Sequence, residues 1–166
     1  MLKKVGAKYV ILGHSENRKS GETNKVIEEK IKSALDAKLN VIFCFGETLN
    51  EKRSKKTFST IRKQILGSIK KNYNIKNIFF AYEPVWSIGT GKTPNVEELK
   101  KTFNYIKNEI KKNFKTRSFP IVLYGGSVNH NNISMFSSIS EIDGFLIGGA
   151  SQSAKKFIDI IKNYYK

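Results

Sequence analysis

Short apolar runs alternate with longer amphipathic stretches along the chain. The apolar runs have the length and β-branched content of buried strands, and they predict strands at residues 9–12, 40–45, 78–82, 121–124 and 144–147. Between them, apolar residues recur at three- and four-residue steps, which predicts helical segments at 21–38, 49–71, 96–114, 132–138 and 154–165. Residues 2–7 are predicted to be the end of a further helix, and Thr23 or Asn24 is predicted to cap the first full one.

The order of these elements predicts the fold class. Strand and helix alternate five times, and near-continuous apolar strands are typical of parallel sheets covered by helices. The sequence has no linker or low-complexity segment, so we expect one domain over residues 1–166.

Functional-looking residues follow each predicted strand. In parallel α/β folds ligands bind at the carboxyl ends of the strands, so we expect these groups to converge on one site: Gly13-His14, Gly46-Glu47, Glu83, Gly125-Gly126-Ser127 and Gly148-Gly149.

His14 and Glu83 form a base-and-electrophile pair by residue type. A carboxylate can remove a proton from a carbon beside a carbonyl, and a neutral imidazole can donate a hydrogen bond to the carbonyl oxygen. A helical turn starting at Ser15 would keep the His14 imidazole neutral. The alternatives are a structural histidine and a solvated glutamate on a surface loop.

Small residues follow the last three strands. Pro84 ends the third strand, and Gly89 and Gly91 make the loop after it flexible, as in a mobile lid. Backbone N–H groups of the two Gly-Gly turns could cradle an anion, with Gly89 and the Ser127 hydroxyl as further donors. Each turn could also be a plain turn. For Glu16 and Glu47, also near strand ends, we expect supporting roles.

Composition adds the kind of partner. The chain has 166 residues and a net charge of +16, which favours anionic partners such as phosphate metabolites, nucleic acid or acidic membranes; compositional drift is the alternative. Cys44 is the only cysteine, and its apolar surroundings predict an inert core thiol. His14 and His130 lack metal-ligand spacing. No secretory signal or membrane-length apolar run is present, which favours a reducing cytoplasm.

Four segments resemble the triosephosphate isomerase family. YVILGHSE (9–16) is similar to its catalytic-histidine strand, and AYEPVWSIGTGK (81–92) to its catalytic-glutamate strand and phosphate-gripping lid. YGGSV (124–128) and GFLIGGAS (144–151) resemble its two phosphate loops. The segments occur in family order, and the resemblance runs from the first residues to the last helix.

The resemblance implies an incomplete (β/α)8 TIM barrel that acts in glycolysis and gluconeogenesis. Glu83 would move a proton between two carbons of a triose phosphate, and His14 would polarise the carbonyl through an enediolate. The resemblance assigns the phosphate group to Gly89, Ser127, Gly148 and Gly149, and it implies no cofactor or metal. It also implies a homodimer for full-length members of the family.

The sequence departs from the family in its extent. A barrel of eight units usually needs ~250 residues, and this chain supplies five units. The family's Asn-x-Lys strand, whose lysine balances the substrate charge, has no counterpart, and Asn17 replaces the arginine common after Ser-Glu. We therefore expect a truncated or start-shifted product with two open sheet edges, weakened in substrate binding and catalysis.

Two other functions compete with this interpretation. A basic nucleic-acid-binding module would explain the charge, but recognition-helix, zinc-spacing and aromatic-stacking signatures are missing from the sequence. Another sugar-phosphate barrel would explain the Gly-Gly turns, but the Glu-Pro-Val-Trp segment of the lid argues against it.

Overall fold

The computed structural model describes residues 2–114 and 119–165, and its core element is a five-stranded parallel sheet. The strands lie side by side in chain order: β1 (Tyr9–Leu12), β2 (Asn40–Phe45), β3 (Ile78–Tyr82), β4 (Val122–Tyr124) and β5 (Gly144–Phe145). Every neighbouring pair is parallel. The predicted parallel α/β fold is therefore confirmed, with β1 and β5 at the two edges of the sheet.

Within the described residues, six α-helices connect the strands and a seventh follows β5, and three short 3-10 turns occur at Leu2–Val5, Ile75–Asn77 and Gly149–Gln152. The helices are α1 (Ser15–Lys19), α2 (Asn24–Asp36), α3 (Leu49–Arg53), α4 (Thr57–Ser68), α5 (Val96–Asn113), α6 (Ile133–Ser137) and α7 (Ala154–Tyr164). The helices within residues 2–114 and 119–165 are all too short or too polar to cross a bilayer.

Side chains at the helix starts explain where several helices begin. Thr23 caps α2 as predicted, because its hydroxyl accepts a hydrogen bond from the Val26 N–H. Asn95 and Glu98 form a reciprocal capping box at the start of α5. Such caps satisfy backbone donors that the first helical turn leaves unpaired.

Three elements differ from the sequence-based expectation. The predicted segment 49–71 is two helices, because Lys55 between α3 and α4 adopts a left-handed φ of 57°. Residues 2–5 form a 3-10 turn and not the end of an α-helix. Strand β5 ends two residues early, although the Leu146 N–H still donates to the Tyr124 carbonyl.

The two faces of the sheet are covered differently. On the helix-covered face, apolar side chains of strands and helices form one buried cluster, with Phe43, Phe80 and Phe103 fully buried. On the opposite face, Tyr9 and Ile11 remain 50% and 46% exposed. The helix-covered face therefore supplies the core, and the carboxyl ends of the strands present the candidate site.

Candidate active site

A cavity of about 430 Å³ lies at the carboxyl ends of the strands. All six residues that the resemblance assigned to catalysis or phosphate binding line it: His14, Glu83, Gly89, Ser127, Gly148 and Gly149. The described structure thus brings together residues that are as far as 135 positions apart in the chain (149 − 14). Convergence of the strand ends, expected from the parallel order, is what forms this site.

The turn between β1 and α1 orients the His14 imidazole. His14 is the residue before α1, and its Nδ1 accepts a hydrogen bond of 3.4 Å from the Glu16 backbone N–H. Since an accepting nitrogen carries no proton, this contact favours the tautomer whose proton is on Nε2. Nε2 lies 3.5 Å from Glu83 Oε1. The ring therefore presents a single N–H donor to the cavity.

Glu83 follows β3 directly and is almost completely buried. Burial raises the pKa of its carboxyl group, an effect opposed by the neighbouring His14, Cys44 thiol and Ser15 backbone N–H. A raised pKa brings a carboxylate closer to the range in which general bases work at neutral pH. The site therefore holds a buried carboxylate of increased basicity.

Gly125 gives this carboxylate its space. A Cβ atom at position 125 would lie 2.8 Å from Glu83 Cγ, closer than real Cβ contacts. The turn after β4 (Gly125-Gly126-Ser127), here called the β4 turn, can therefore approach Glu83 only because residue 125 has no side chain. This Gly-Gly turn therefore makes room for the Glu83 side chain, in addition to any part that it takes in binding an anion.

Glu47 lies under the start of the lid and does not line the cavity. Its buried carboxylate accepts hydrogen bonds from Tyr82 Oη at 3.1 and 3.2 Å and from Trp86 Nε1 at 2.9 Å. Lys52 Nζ stands 3.9 Å from the centre of the Trp86 ring. The supporting role predicted for Glu47 therefore fits its position, but its side-chain partners are aromatic residues and not basic ones.

Glu16 contributes through its backbone. Its carboxylate is 84% exposed, with Oε2 4.0 Å from His14 Nδ1. That nitrogen already accepts the Glu16 N–H. The predicted supporting role of Glu16 is therefore reduced, in this structure, to holding the histidine by its main chain.

The turns at the other end of the cavity are held by side chains. Asn132 Nδ2 donates to the Ser127 carbonyl at 2.9 Å, and Ser151 Oγ donates to the Gly148 carbonyl at 2.7 Å. These bonds use carbonyl groups and not the backbone N–H groups of residues 148 and 149, which can therefore face a ligand.

The sequence-based analysis missed four residues at this site. Arg18 joins the ends of β1 and β2, donating from Nε to the Gly13 carbonyl at 2.8 Å and from Nη2 to the Cys44 carbonyl at 3.2 Å. Lys156 and His130 line the cavity, and Ser87 links the lid to the β4 turn. Only Lys156 had a sequence signal, a cation in the first turn of the helix that follows the second Gly-Gly turn.

Comparisons with known proteins agree with this geometry. The sequence profile of the triosephosphate isomerase family matches residues 1–164. The chain is 43% identical to the triosephosphate isomerase of Yarrowia lipolytica and 41% identical to that of Chloroherpeton thalassium, over 98% of its own length in both cases. It spans 66% and 67% of the length of these two relatives.

A solved structure gives the same result for the fold. The crystal structure of triosephosphate isomerase from Bartonella henselae superimposes with a TM-score of 0.89 at 34% identity, covering 99% of this chain and 68% of that one. The described sheet is therefore about two thirds of a TIM barrel, as the resemblance implied. Because the family profile matches nearly the whole of this chain, the chain belongs to the triosephosphate isomerase family.

Proposed function

We propose that this chain carries the base, the electrophile and the phosphate cradle of a triosephosphate isomerase. The reaction interconverts glyceraldehyde 3-phosphate and dihydroxyacetone phosphate. One observation carries the proposal: Glu83 Oε1 and His14 Nε2 lie 3.5 Å apart on one cavity whose other end is built from glycine turns. From this cavity, one substrate can face both groups, with its carbonyl oxygen towards His14 and the neighbouring carbon towards Glu83.

Glu83 is the base of the proposed reaction. Its carboxylate removes a proton from the hydroxyl-bearing carbon beside the substrate carbonyl and returns that proton to the former carbonyl carbon, while the hydroxyl proton is transferred to the former carbonyl oxygen. Burial raises the pKa of this carboxyl group, which makes the carboxylate a stronger acceptor for a weakly acidic C–H. Burial of this carboxylate therefore lowers the stability of the folded chain but increases the basicity that the reaction needs.

His14 is the electrophile. Its Nε2–H donates a hydrogen bond to the carbonyl oxygen and stabilises the negative charge that develops there as the enediolate forms. The Glu16 N–H on Nδ1 favours the tautomer that carries its proton on Nε2. Because a neutral imidazole is a weaker acid than imidazolium, it can donate a hydrogen bond to the oxyanion without transferring its proton too early. This division between a glutamate base and a neutral histidine is the established scheme for triosephosphate isomerase.

The phosphate group is assigned to the glycine-rich end of the cavity. Backbone N–H groups of Gly89, Ser127, Gly148 and Gly149 would surround it, as expected for an anion held in a backbone nest. Lys156 lines the same cavity and supplies a cation. Closure of the lid over this end would exclude water and protect the enediolate.

Two further expectations from the resemblance stay predictions. The homodimer of full-length family members is one, and sedimentation of the purified chain at several concentrations tests it. The cytoplasm is the other, and fluorescence microscopy of the tagged chain in its own cell tests that location.

The activity is tested by complementation. The chain is assayed for triose phosphate interconversion alone and after co-expression with the part of the Yarrowia lipolytica relative that it does not match. We expect turnover in the complemented sample and a large loss when the chain carries His14→Gln, which removes the imidazole from the same assembly. A folded complex without turnover would contradict the proposal. Product analysis with longer sugar phosphates distinguishes another isomerase of the same fold.

A further inference from the structure

Ser87, in the first half of the lid, makes the contact between the lid and the β4 turn. Its side chain is completely buried. Its Oγ donates to the Lys92 carbonyl at 2.6 Å, accepts the Ser127 backbone N–H at 3.1 Å and lies 3.3 Å from Tyr124 Oη. One hydroxyl thus joins the two ends of the lid to β4 and to the turn after it.

The hydrogen-bonding capacity of this hydroxyl is fully used. A serine hydroxyl has one proton to donate and two lone pairs to accept with. Since the proton goes to the Lys92 carbonyl, both the Ser127 N–H and the Tyr124 hydroxyl must donate to Ser87 Oγ. Burial raises the pKa of Tyr124 to about 12, so its hydroxyl keeps the proton that it donates. The Ser127 N–H is therefore occupied by Ser87.

The packing around Ser87 keeps this contact tight. A Cβ atom at position 126 would lie 2.9 Å from Ser87 Oγ and would clash with the Tyr124 hydroxyl. The absence of a side chain at Gly126 lets the lid serine reach the backbone of the next residue, Ser127. The turn therefore has the shape to accept a lid side chain as well as an anion.

The same N–H is one of the donors of the proposed phosphate cradle. We propose that Ser87 is a positioning residue that competes with the phosphate group for the Ser127 N–H. Phosphate binding then displaces Ser87, and the lid changes its attachment from the β4 turn to the ligand. The inference rests on the proposed function, because it needs a phosphate group at Ser127.

Inorganic phosphate is the probe, and the single tryptophan of the chain is the reporter. Trp86 is the residue before Ser87 and the only tryptophan in the sequence, so its fluorescence follows the lid. We compare the wild type with Ser87→Ala, which frees the Ser127 N–H. Removing one competing hydrogen bond should tighten phosphate binding about 5-fold.

Thr90→Val is the matched control. Thr90 Oγ1 lies 3.1 Å from both the Trp86 and the Ser87 carbonyl oxygens, so this change also removes lid hydrogen bonds but leaves Ser127 engaged. Phosphate binding should not become tighter in this variant. A merely structural role for Ser87 predicts that both variants bind phosphate as the wild type does or more weakly, and that result would overturn the proposal.

Hydrogen exchange of the Ser127 amide gives a second readout that needs no ligand. We expect fast exchange in Ser87→Ala and slower exchange in the wild type and in Thr90→Val, with added phosphate slowing it in Ser87→Ala. Equal exchange in all three would overturn the proposal. If Ser87→Ala does not fold, Ser87→Cys keeps the volume with a weaker acceptor and should change both readouts in the same direction.

Failure of the proposed function would look different from failure of the competition at Ser127. If the proposed function fails, none of the folded proteins binds phosphate, while the Ser127 amide still exchanges faster in Ser87→Ala than in the wild type. The Ser87 contact would then be real, but the competition with phosphate would be refuted together with the proposed activity.

Discussion

The ends of β2 and β3 each bury a glutamate, and the two carboxylates have different surroundings. Glu47, after β2, accepts hydrogen bonds from the side chains of Tyr82 and Trp86. Glu83, after β3, faces a cavity and the Nε2 of His14 at 3.5 Å. Burial raises the pKa of both carboxyl groups. A perturbed pKa therefore does not by itself separate the base from the structural residue.

What separates them is whether a substrate could replace the present partners. The donors to Glu47 belong to the buried Tyr82 and the half-buried Trp86, which also pack the sheet and the lid, so this carboxylate is held in place. Glu83 lines a cavity, and its neighbour His14 lines the same cavity and could donate its hydrogen bond to a ligand instead. Substituting each glutamate should therefore affect a different property of the protein.

The largest expected effect is on catalysis at Glu83. In the complemented assembly, Glu83→Gln should lower kcat/KM for triose phosphate by about 10³-fold or more, because a positioned general base contributes roughly 10²–10⁴. The amide keeps the size of the side chain but cannot accept a proton from carbon. Steady-state kinetics and the wash-in of solvent deuterium into the substrate both measure the loss.

Glu16→Gln is the control for this change. Glu16 also lies close after β1 and is acidic, but its carboxylate is 84% exposed and only its backbone N–H donates a hydrogen bond to His14, so its loss of activity should be far smaller. Comparable losses in the two variants would show that the local negative charge, and not the base at Glu83, is what the reaction needs.

The second effect is on stability at Glu47. Glu47→Leu should lower the free energy of unfolding by roughly 2 kcal/mol, because the buried Tyr82 O–H and the half-buried Trp86 N–H lose their acceptor. Urea titration measures it. Glu47→Gln retains one carbonyl oxygen for Trp86 and should lose less. If the leucine variant were as stable as the wild type, the hydrogen bonds under the lid would not be what holds it.

The sequence predicted both carboxylates at strand ends and separated them by their context and not by periodicity. Parallel strands in chain order follow from apolar runs that alternate with amphipathic segments, and the strand ends follow from the polar residue after each run. Glu47 and Glu83 both satisfy that rule. Their difference depends on side chains that only the fold brings close, such as Trp86 for Glu47 and His14 for Glu83. The flexible loop after Glu83 and then the family resemblance, and not periodicity, singled out Glu83 as the candidate base.

Other features of the structure could not be predicted from the hydrophobic pattern of the sequence. The break between α3 and α4 depends on a left-handed φ at Lys55, a residue type that rarely adopts it. Arg18 and Ser87 act by contacting backbone groups of distant elements, and neither one stands out in a turn rich in polar residues. A side chain that contacts a backbone group can have any residue type as its partner, so the sequence does not reveal such a contact.

The smallest effect concerns the pH dependence of stability, and it returns to Glu83. Burial raises the pKa of this carboxyl group in the folded chain above its ordinary value of 4.5. Between the two values the folded state holds a proton that the unfolded state has lost, so stability falls as the pH rises through this interval. Glu83→Gln has no such proton. Its free energy of unfolding should therefore rise relative to the wild type as the pH increases from about 4 to 8, and urea titrations across that range measure the difference. Constant relative stability would mean that His14, Cys44 and the Ser15 N–H offset the burial of the carboxylate, and these partners would then hold Glu83 as firmly as Tyr82 and Trp86 hold Glu47.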